Sequence, residues 1–251
     1  MNNKLTITIL FAIIIGLLFN AVIIGRAIQR FKKEDRAISV KGFSEREVKS
    51  DLAVWTIKTR IVDNDLAAGS KAIEDVKNKV IAFLKEKGIK DEEIIQKELI
   101  VNDKKAQEYE VSNVVNSFRF IIDNVIQVRS NQVENIEKVS RMTDELLKRG
   151  VLISNRDEYM GAVRYYYTKL SEIKPEMLTD ATRNAKNAAI QFAQESNTKI
   201  GKLKKASQGL FSVIDRDESL SSPAEGGGYA AGTNDLIKKV RVVVSVDYSI
   251  E

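Results

Sequence analysis

The chain has 251 residues, 40 of them lysine or arginine and 35 aspartate or glutamate, giving a formal net charge of +5. It contains neither cysteine nor histidine. That excludes disulfides, thiol nucleophiles and zinc–thiolate sites, and removes the usual general base near neutral pH and the commonest transition-metal ligand. Five of the basic residues (Lys4, Arg26, Arg30, Lys32, Lys33) and two of the acidic ones (Glu34, Asp35) lie in the first 35 positions, leaving 35 against 33 in the remainder. Those charges are interspersed, with no basic run and no aromatic–basic platform, which points away from nucleic acid as a partner.

From Leu5 to Gly25 there are 21 consecutive uncharged residues, dominated by Ile and Leu. At about 1.5 Å per helical residue, such a run spans roughly the 30 Å hydrocarbon core of a bilayer. The expectation is a transmembrane helix over about residues 5–25, carried by Leu5, Ile9, Phe11, Ile14, Leu17, Leu18 and Ile23, with the lipid bilayer as partner. The run is longer than a usual signal-peptide core, and Gly25-Arg26-Ala27 is a poor cleavage site, so an uncleaved anchor is preferred to a removed signal. Residues 1–35 are therefore read as anchor and charged juxtamembrane stretch, and 36–251 as the domain. The basic residues that follow the run would, counted literally, keep that domain in the cytoplasm. The 216 residues from Arg36 suit one large domain or two small intertwined ones.

Ile38 to Glu45 reads as a short strand ending at a turn on Gly42. From Ala53 to Val62, Trp55, Ile57, Thr59 and Ile61 share one face while Thr56, Lys58 and Arg60 share the other, the pattern of a half-buried strand. Asp63, Asn64 and Asp65 supply cap chemistry for a helix whose inward stripe is Leu66, Ser70, Ile73, Val76, Val80 and Leu84, with Gly88 as its stop. A moderate strand follows over Ile94 to Val101, then a stronger one on Phe118, Phe120, Ile122, Ile126 and Val128. Ser130 and Asn131 are expected to cap a second helix with Val133, Ile136, Val139, Thr143 and Leu146 inward, ended by Gly150. Strand–strand–helix thus occurs twice, with Gly88 and Gly150 in equivalent places.

Val151 to Ile153 and Ala162 to Thr168 are strand-like. A long helix is predicted from about Pro175, with a small-residue face of alanines 181, 185, 188, 189 and 193 beside Ile190 and Phe192 that allows close approach to a sheet or helix. Leu203 to Ile214 and Ile237 to Ile250 are the last strands. In the latter, Val240, Val242, Val244, Val246, Tyr248 and Ile250 alternate. Between them, residues 215–234 form a loop rich in Ser, Pro and Gly, read either as a flexible hairpin insertion or as a contact or pore-lining segment.

No catalytic signature emerges, and no catalytic, cofactor-binding or metal-ligating residue is assigned. Asp91-Glu92-Glu93 and Asp215-Arg-Asp217-Glu218 lie beside lysines and in turns, where solvated faces explain them better than an active site does. The residues Asp63 to Asp65 lack the glycine and closing glutamate of a calcium loop. The glycines at 226–228 lack the sequence of a phosphate-binding loop. Tyr165, Tyr166 and Tyr167 could stack a ligand, but a strand with one tyrosine inward and its neighbours outward is the plainer account. Trp55 is read as core.

With the pattern laid out, residues 38 to 250 resemble the SIMPL family, once called DUF541. The resemblance is carried by Ile38 to Glu45 with Gly42 and Asp51, by Gly88 to Ile94, by Tyr109, and by the strand from Phe118 to Val128. Its most telling part is the alanine-rich helix from Leu178 through Ala181, Ala185, Ala188, Ala189 and Ala193 into Gly201-Lys-Leu203. It implies an α+β, SIMPL-like fold of mostly antiparallel strands with two or three packed helices, here preceded by one transmembrane helix. It also implies a bacterial envelope protein with no established enzyme activity, among relatives that form ring-like or channel-like oligomers or are linked to oxidative-stress tolerance. This outweighs the flank charges and places the domain on the periplasmic or outer side of the inner membrane.

The function expected is a non-enzymatic, membrane-anchored protein that self-associates into a ring-like or channel-like homo-oligomer. Val240, Val242 and Val244 of the terminal strand, with Tyr229 of the loop, are the candidate contacts. No cofactor and no small-molecule substrate is expected. Two alternatives stay open: an envelope hydrolase with paired carboxylates, and a ligand-binding or adaptor module with an apolar pocket near Tyr165, Tyr167 or Tyr229.

Overall fold

The computed structural model describes residues 16, 17, 21, 24, 36–106, 118–154, 163–216 and 234–250. The described elements are eight strands and four helices: β1 (Ala37–Lys49), β2 (Leu52–Asp63), α1 (Leu66–Glu86), β3 (Ile94–Asp103), β4 (Phe120–Ser130), α2 (Val133–Ser140), α3 (Thr143–Lys148), β5 (Val163–Tyr166), α4 (Leu170–Glu195), β6 (Ile200–Gln208), β7 (Ser212–Asp215) and β8 (Ile237–Ile250). One sheet runs β1-β8-β6, with β7 also pairing β8; the other runs β3-β4-β2-β5. The strand pairs whose registers are resolved are antiparallel, so the α+β class with antiparallel sheets holds. Two compact units divide the chain: one of Met1–Glu45, Lys174–Phe211 and Arg241–Glu251, the other of Arg46–Ile173 and Ser212–Val240.

In the second unit, β2 is the central strand, flanked by β4 along its length and by β5 at its start. Alternation does what its period requires: Trp55, Ile57 and Thr59 are buried, and they lie opposite Val128, Ile126 and Asn124 of β4. The helices α1 and α2 cover this face. Ile73, Val76, Val80, Phe83 and Leu84 of α1 are buried, as are Val133, Ile136 and Val139 of α2. Trp55 and Tyr165 belong to the same core.

Capping at α1 is as the residues predict. The Asp65 carboxylate accepts from the backbone N–H groups of Ala67 at 2.7 Å and Ala68 at 3.1 Å, satisfying two of the helix's orphan donors. Its inward stripe differs: Leu66 and Ser70 are exposed, while Gly69 and Phe83 point in. Stepping back from Ile73 by one helical repeat reaches Gly69, and Ser70 then falls on the outer flank. Gly88 and Gly150 both stop their helices with positive φ, 82° and 78°, the backbone region that glycine enters without steric cost.

The second predicted helix is broken in two at Arg141 and Met142, which gives four helices in place of two or three. The break turns Met142 onto the core and leaves Thr143 exposed. Its N-cap is Gln132, and Ser130 acts two residues before it, its hydroxyl accepting from the Gln132 N–H at 3.0 Å. Phe118 precedes β4 and is exposed. The stretch read as one strand from Leu203 to Ile214 is two, β6 and β7, separated at Gly209, whose N–H donates to the Val243 carbonyl at 2.8 Å.

The first unit holds α4 against β1. Met177, Ala181, Ala185, Ala189 and Ala193, each four residues from the next, are the buried row of α4, whereas Phe192 is exposed. The helix begins a turn earlier than Pro175, at Leu170, and carries the proline inside. Gly42 is not a turn. It sits in the middle of β1, where an added Cβ would lie 2.1 Å from the Ala181 carbonyl oxygen and 2.3 Å from the Ala185 nitrogen. The glycine is there because helix backbone passes over it. The Asn184 side-chain amide donates to the Phe43 carbonyl at 2.9 Å beside this crossing.

Candidate functional site

Among the anchor positions, only Leu17 is described, helical and exposed. Leu5, Ile9, Phe11, Ile14, Leu18 and Ile23 lie outside the described residues, as does Tyr229. Among the described residues, no helix is long and apolar enough to cross a membrane.

Val240, Val242 and Val244 are placed where they cannot serve as a free edge. All three are buried within the chain, and β8 lies between β1 and β6. A strand with neighbours on both sides has its backbone donors and acceptors already used, so edge pairing with another chain is closed to β8. The alternation that made β8 recognisable is the mark of a buried face, and burial inside one chain and burial between chains give the same pattern.

What the sequence reading missed is a pair of ionic clusters. Asp215, expected in a solvated turn, is buried on β7, and its carboxylate accepts from the ammonium of Lys238 on β8. The other carboxylate oxygen accepts from the Asn234 backbone N–H at 3.0 Å. Asp217 and Glu218 lie outside the described residues. The available signal was Lys238 itself. It shares parity with Val240, Val242, Val244, Val246 and Tyr248, and a lysine on an apolar face needs a carboxylate.

The second cluster lies on the face of the β3-β4-β2-β5 sheet opposite α1. Arg60 of β2 is directly across from Asp123 of β4 and grips it with two hydrogen bonds, of 2.6 and 2.7 Å. The Lys58 ammonium stands 3.7 Å from the same carboxylate. Burial pushes the Asp123 carboxyl up, but the Arg60 hydrogen bonds and the charges of Arg60 and Lys58 outweigh it and hold the group below the ordinary aspartate value. On the opposite face of the same strands, the side-chain amide of Asn124 is buried without a hydrogen-bond partner in the described structure.

Several other acidic residues are engaged in structural roles. Asp91 pairs with Lys85 at 2.6 Å, and Glu93 accepts from the Lys90 N–H at 3.0 Å and from the Ser130 hydroxyl. Asp103 is held low by its hydrogen bonds with Arg119, against a smaller opposing effect of burial. Asp51 accepts from both the backbone N–H and the hydroxyl of Thr168, at 2.7 and 2.9 Å, tying the β1–β2 turn to the end of β5. Among the described residues, no three carboxylates gather to hold a metal ion. Tyr165 is in the core, and its hydroxyl is pushed up by burial and by Glu137; Tyr166 and Tyr167 are half-buried.

The feature left open is an edge. β3 has β4 on one side and no strand on the other among the described residues. Ile95, Leu99, Ile100 and Val101 along it are all exposed, from 36% to 53%. Its register on β4 slips by one residue between Gln96 and Glu98, leaving Lys97 as a bulge.

Two comparisons with known proteins bear on this arrangement. Residues 38–248 match the family model described as SIMPL, protein of unknown function (DUF541). No curated protein matches the chain.

Proposed function

Given that the chain belongs to the SIMPL family, whose function is unknown, we propose that it is a non-enzymatic, membrane-anchored envelope protein that works by self-association. The observation that carries this reading is the exposed apolar edge of β3, since exposed edges of this kind pair with other chains unless they are blunted or covered. The uncharged run from Leu5 to Gly25 supports the membrane anchor. The engagement of Asp51, Asp91, Asp103, Asp123 and Asp215 in structural bonds supports the absence of carboxylate catalysis.

In this proposal the anchor lies in the inner membrane, with the domain on its outer side, and the assembly is a ring-like or channel-like homo-oligomer. A link to envelope or oxidative stress completes it. Mass measurement of the full chain extracted in detergent tests the central point: a multiple of the 28.2 kDa subunit is expected, and a monomer at micromolar concentration overturns the reading. Protease treatment of intact spheroplasts tests the orientation; a domain that resists digestion until the membrane is opened places it inside.

A further inference from the structure

We propose that β3 pairs with β3 of a second copy, antiparallel about a two-fold axis that passes between Lys97 and Glu98. This inference rests on the self-association reading and names the surface that would carry it.

Residues opposite one another in an antiparallel pair share a face of the sheet. By the register on β4, Ile94, Gln96, Leu99 and Val101 lie across from Val128, Ile126, Asn124 and Ile122, on the sheet face that bears the helices, where Gln96, Leu99 and Val101 stay exposed. Ile95, Glu98 and Ile100 lie across from Gln127, Val125 and Asp123, on the other. In an unbroken strand, Ile94 and Val101 would fall on opposite faces, because seven residues separate them and the period is two. The bulge at Lys97 brings them to the same one.

A two-fold axis between Lys97 and Glu98 then pairs Ile94 with Val101 of the second copy, Ile95 with Ile100, Gln96 with Leu99, and Lys97 with Glu98. Every apolar pair matches in face. The two charged residues meet opposite charges, twice, by symmetry. Without the bulge, that centre could not serve an antiparallel pair at all.

Bulges and edge lysines commonly serve to keep strands apart. On β3 the lysine is followed at once by a glutamate, so the block is cancelled in this register. The device selects a partner strand with the same sequence. A two-fold contact closes on itself and yields dimers; a ring needs a second, different contact.

The test is a charge exchange in the full-length protein, followed by sedimentation velocity in detergent across a dilution series. K97E and E98K each place like charges face to face and are expected to weaken the dimer by roughly tenfold or more. The double variant K97E/E98K restores the opposite pairing and recovers wild-type association. Because these side chains are exposed, thermal midpoints that stay at the wild-type value separate lost association from lost folding. If the wild type associates and the single exchanges leave it unchanged, the β3 pairing is overturned while the self-association reading stands. Stronger association in K97T would show Lys97 to be a blunting device and also overturns the pairing. A wild-type monomer overturns both.

Discussion

Gly42 and Ala185 meet where α4 crosses β1: a Cβ placed on Gly42 would come within 2.3 Å of the Ala185 nitrogen and 2.8 Å of its Cα. Backbone atoms cannot swing aside as a flexible side chain can. Gly42→Ala is therefore expected to push α4 off β1 and destabilise the fold by about 3 kcal/mol or more, at the upper end for overpacking. Thermal unfolding of the purified variant measures this. A loss within about 0.5 kcal/mol would mean that the helix shifts freely and the crossing is loose.

Gly88 and Gly150 provide the contrast. An added Cβ meets nothing within 4 Å at either place, so the cost of Gly88→Ala or Gly150→Ala is backbone strain alone at φ values near +80°. About 1 kcal/mol each is expected, with the double variant departing from the sum of the two, because Lys87 and Arg149 beside these glycines both lie over Phe83 and the pairs Lys87–Glu145 and Arg149–Glu86 join the two helix ends. Urea titration of the two single variants and the double variant checks both the size and the departure from additivity.

The Asp123 carboxyl is held below its ordinary value by Arg60 and Lys58. A depressed folded-state value means that its contribution is fully present above the unfolded value near 3.9 and is lost as pH falls through the folded one. Stability should therefore decline on acidification below about pH 4. Asp123→Asn should flatten that decline and cost about 3 kcal/mol at neutral pH, because it takes the carboxylate away from two neighbouring cations in a largely buried place. Unfolding measured from pH 7 down to pH 3 in both proteins decides it; an equally steep acid limb in the variant would assign the effect elsewhere.

Lys238 and Asp215 form a pair that is costly to break and inexpensive to replace. Lys238→Met or Asp215→Leu alone removes one half of this buried ion pair and should cost about 3 to 5 kcal/mol. The double variant Lys238→Met/Asp215→Leu should recover most of that loss. A double-mutant cycle by denaturant unfolding reads the coupling. If the double variant is no better than the worse single one, the Asn234 N–H that also bonds Asp215 is the larger contributor.

Much of the fold was legible in the residues because local periodicity encodes burial. Ile237 to Ile250 was delimited to the residue, and β2, the caps at Asp65, and the stops at Gly88 and Gly150 follow from chemistry within a few positions along the chain. Gly42 reads as a turn and is not one for a related reason. A glycine in sequence signals missing bulk, but whether the space serves a turn or a passing helix depends on a segment some 140 residues away. The break at Met142 likewise depends on which side chain the core accepts.

Length, charge pattern, the absence of cysteine and histidine, the uncharged run near the N-terminus and the family signature belong to the sequence by itself, since each is a property of residues and their spacing. Partnership belongs to the tertiary structure. Strand order closed the edge of β8 and, among the described residues, left that of β3 open, because hydrogen-bonding neighbours come from distant segments. The bulge at Lys97 set which faces of β3 its apolar residues occupy, because register exists only between strands. The pairings of Asp123 with Arg60 and of Asp215 with Lys238 arose in the same way, from charges that meet only once the sheets have formed.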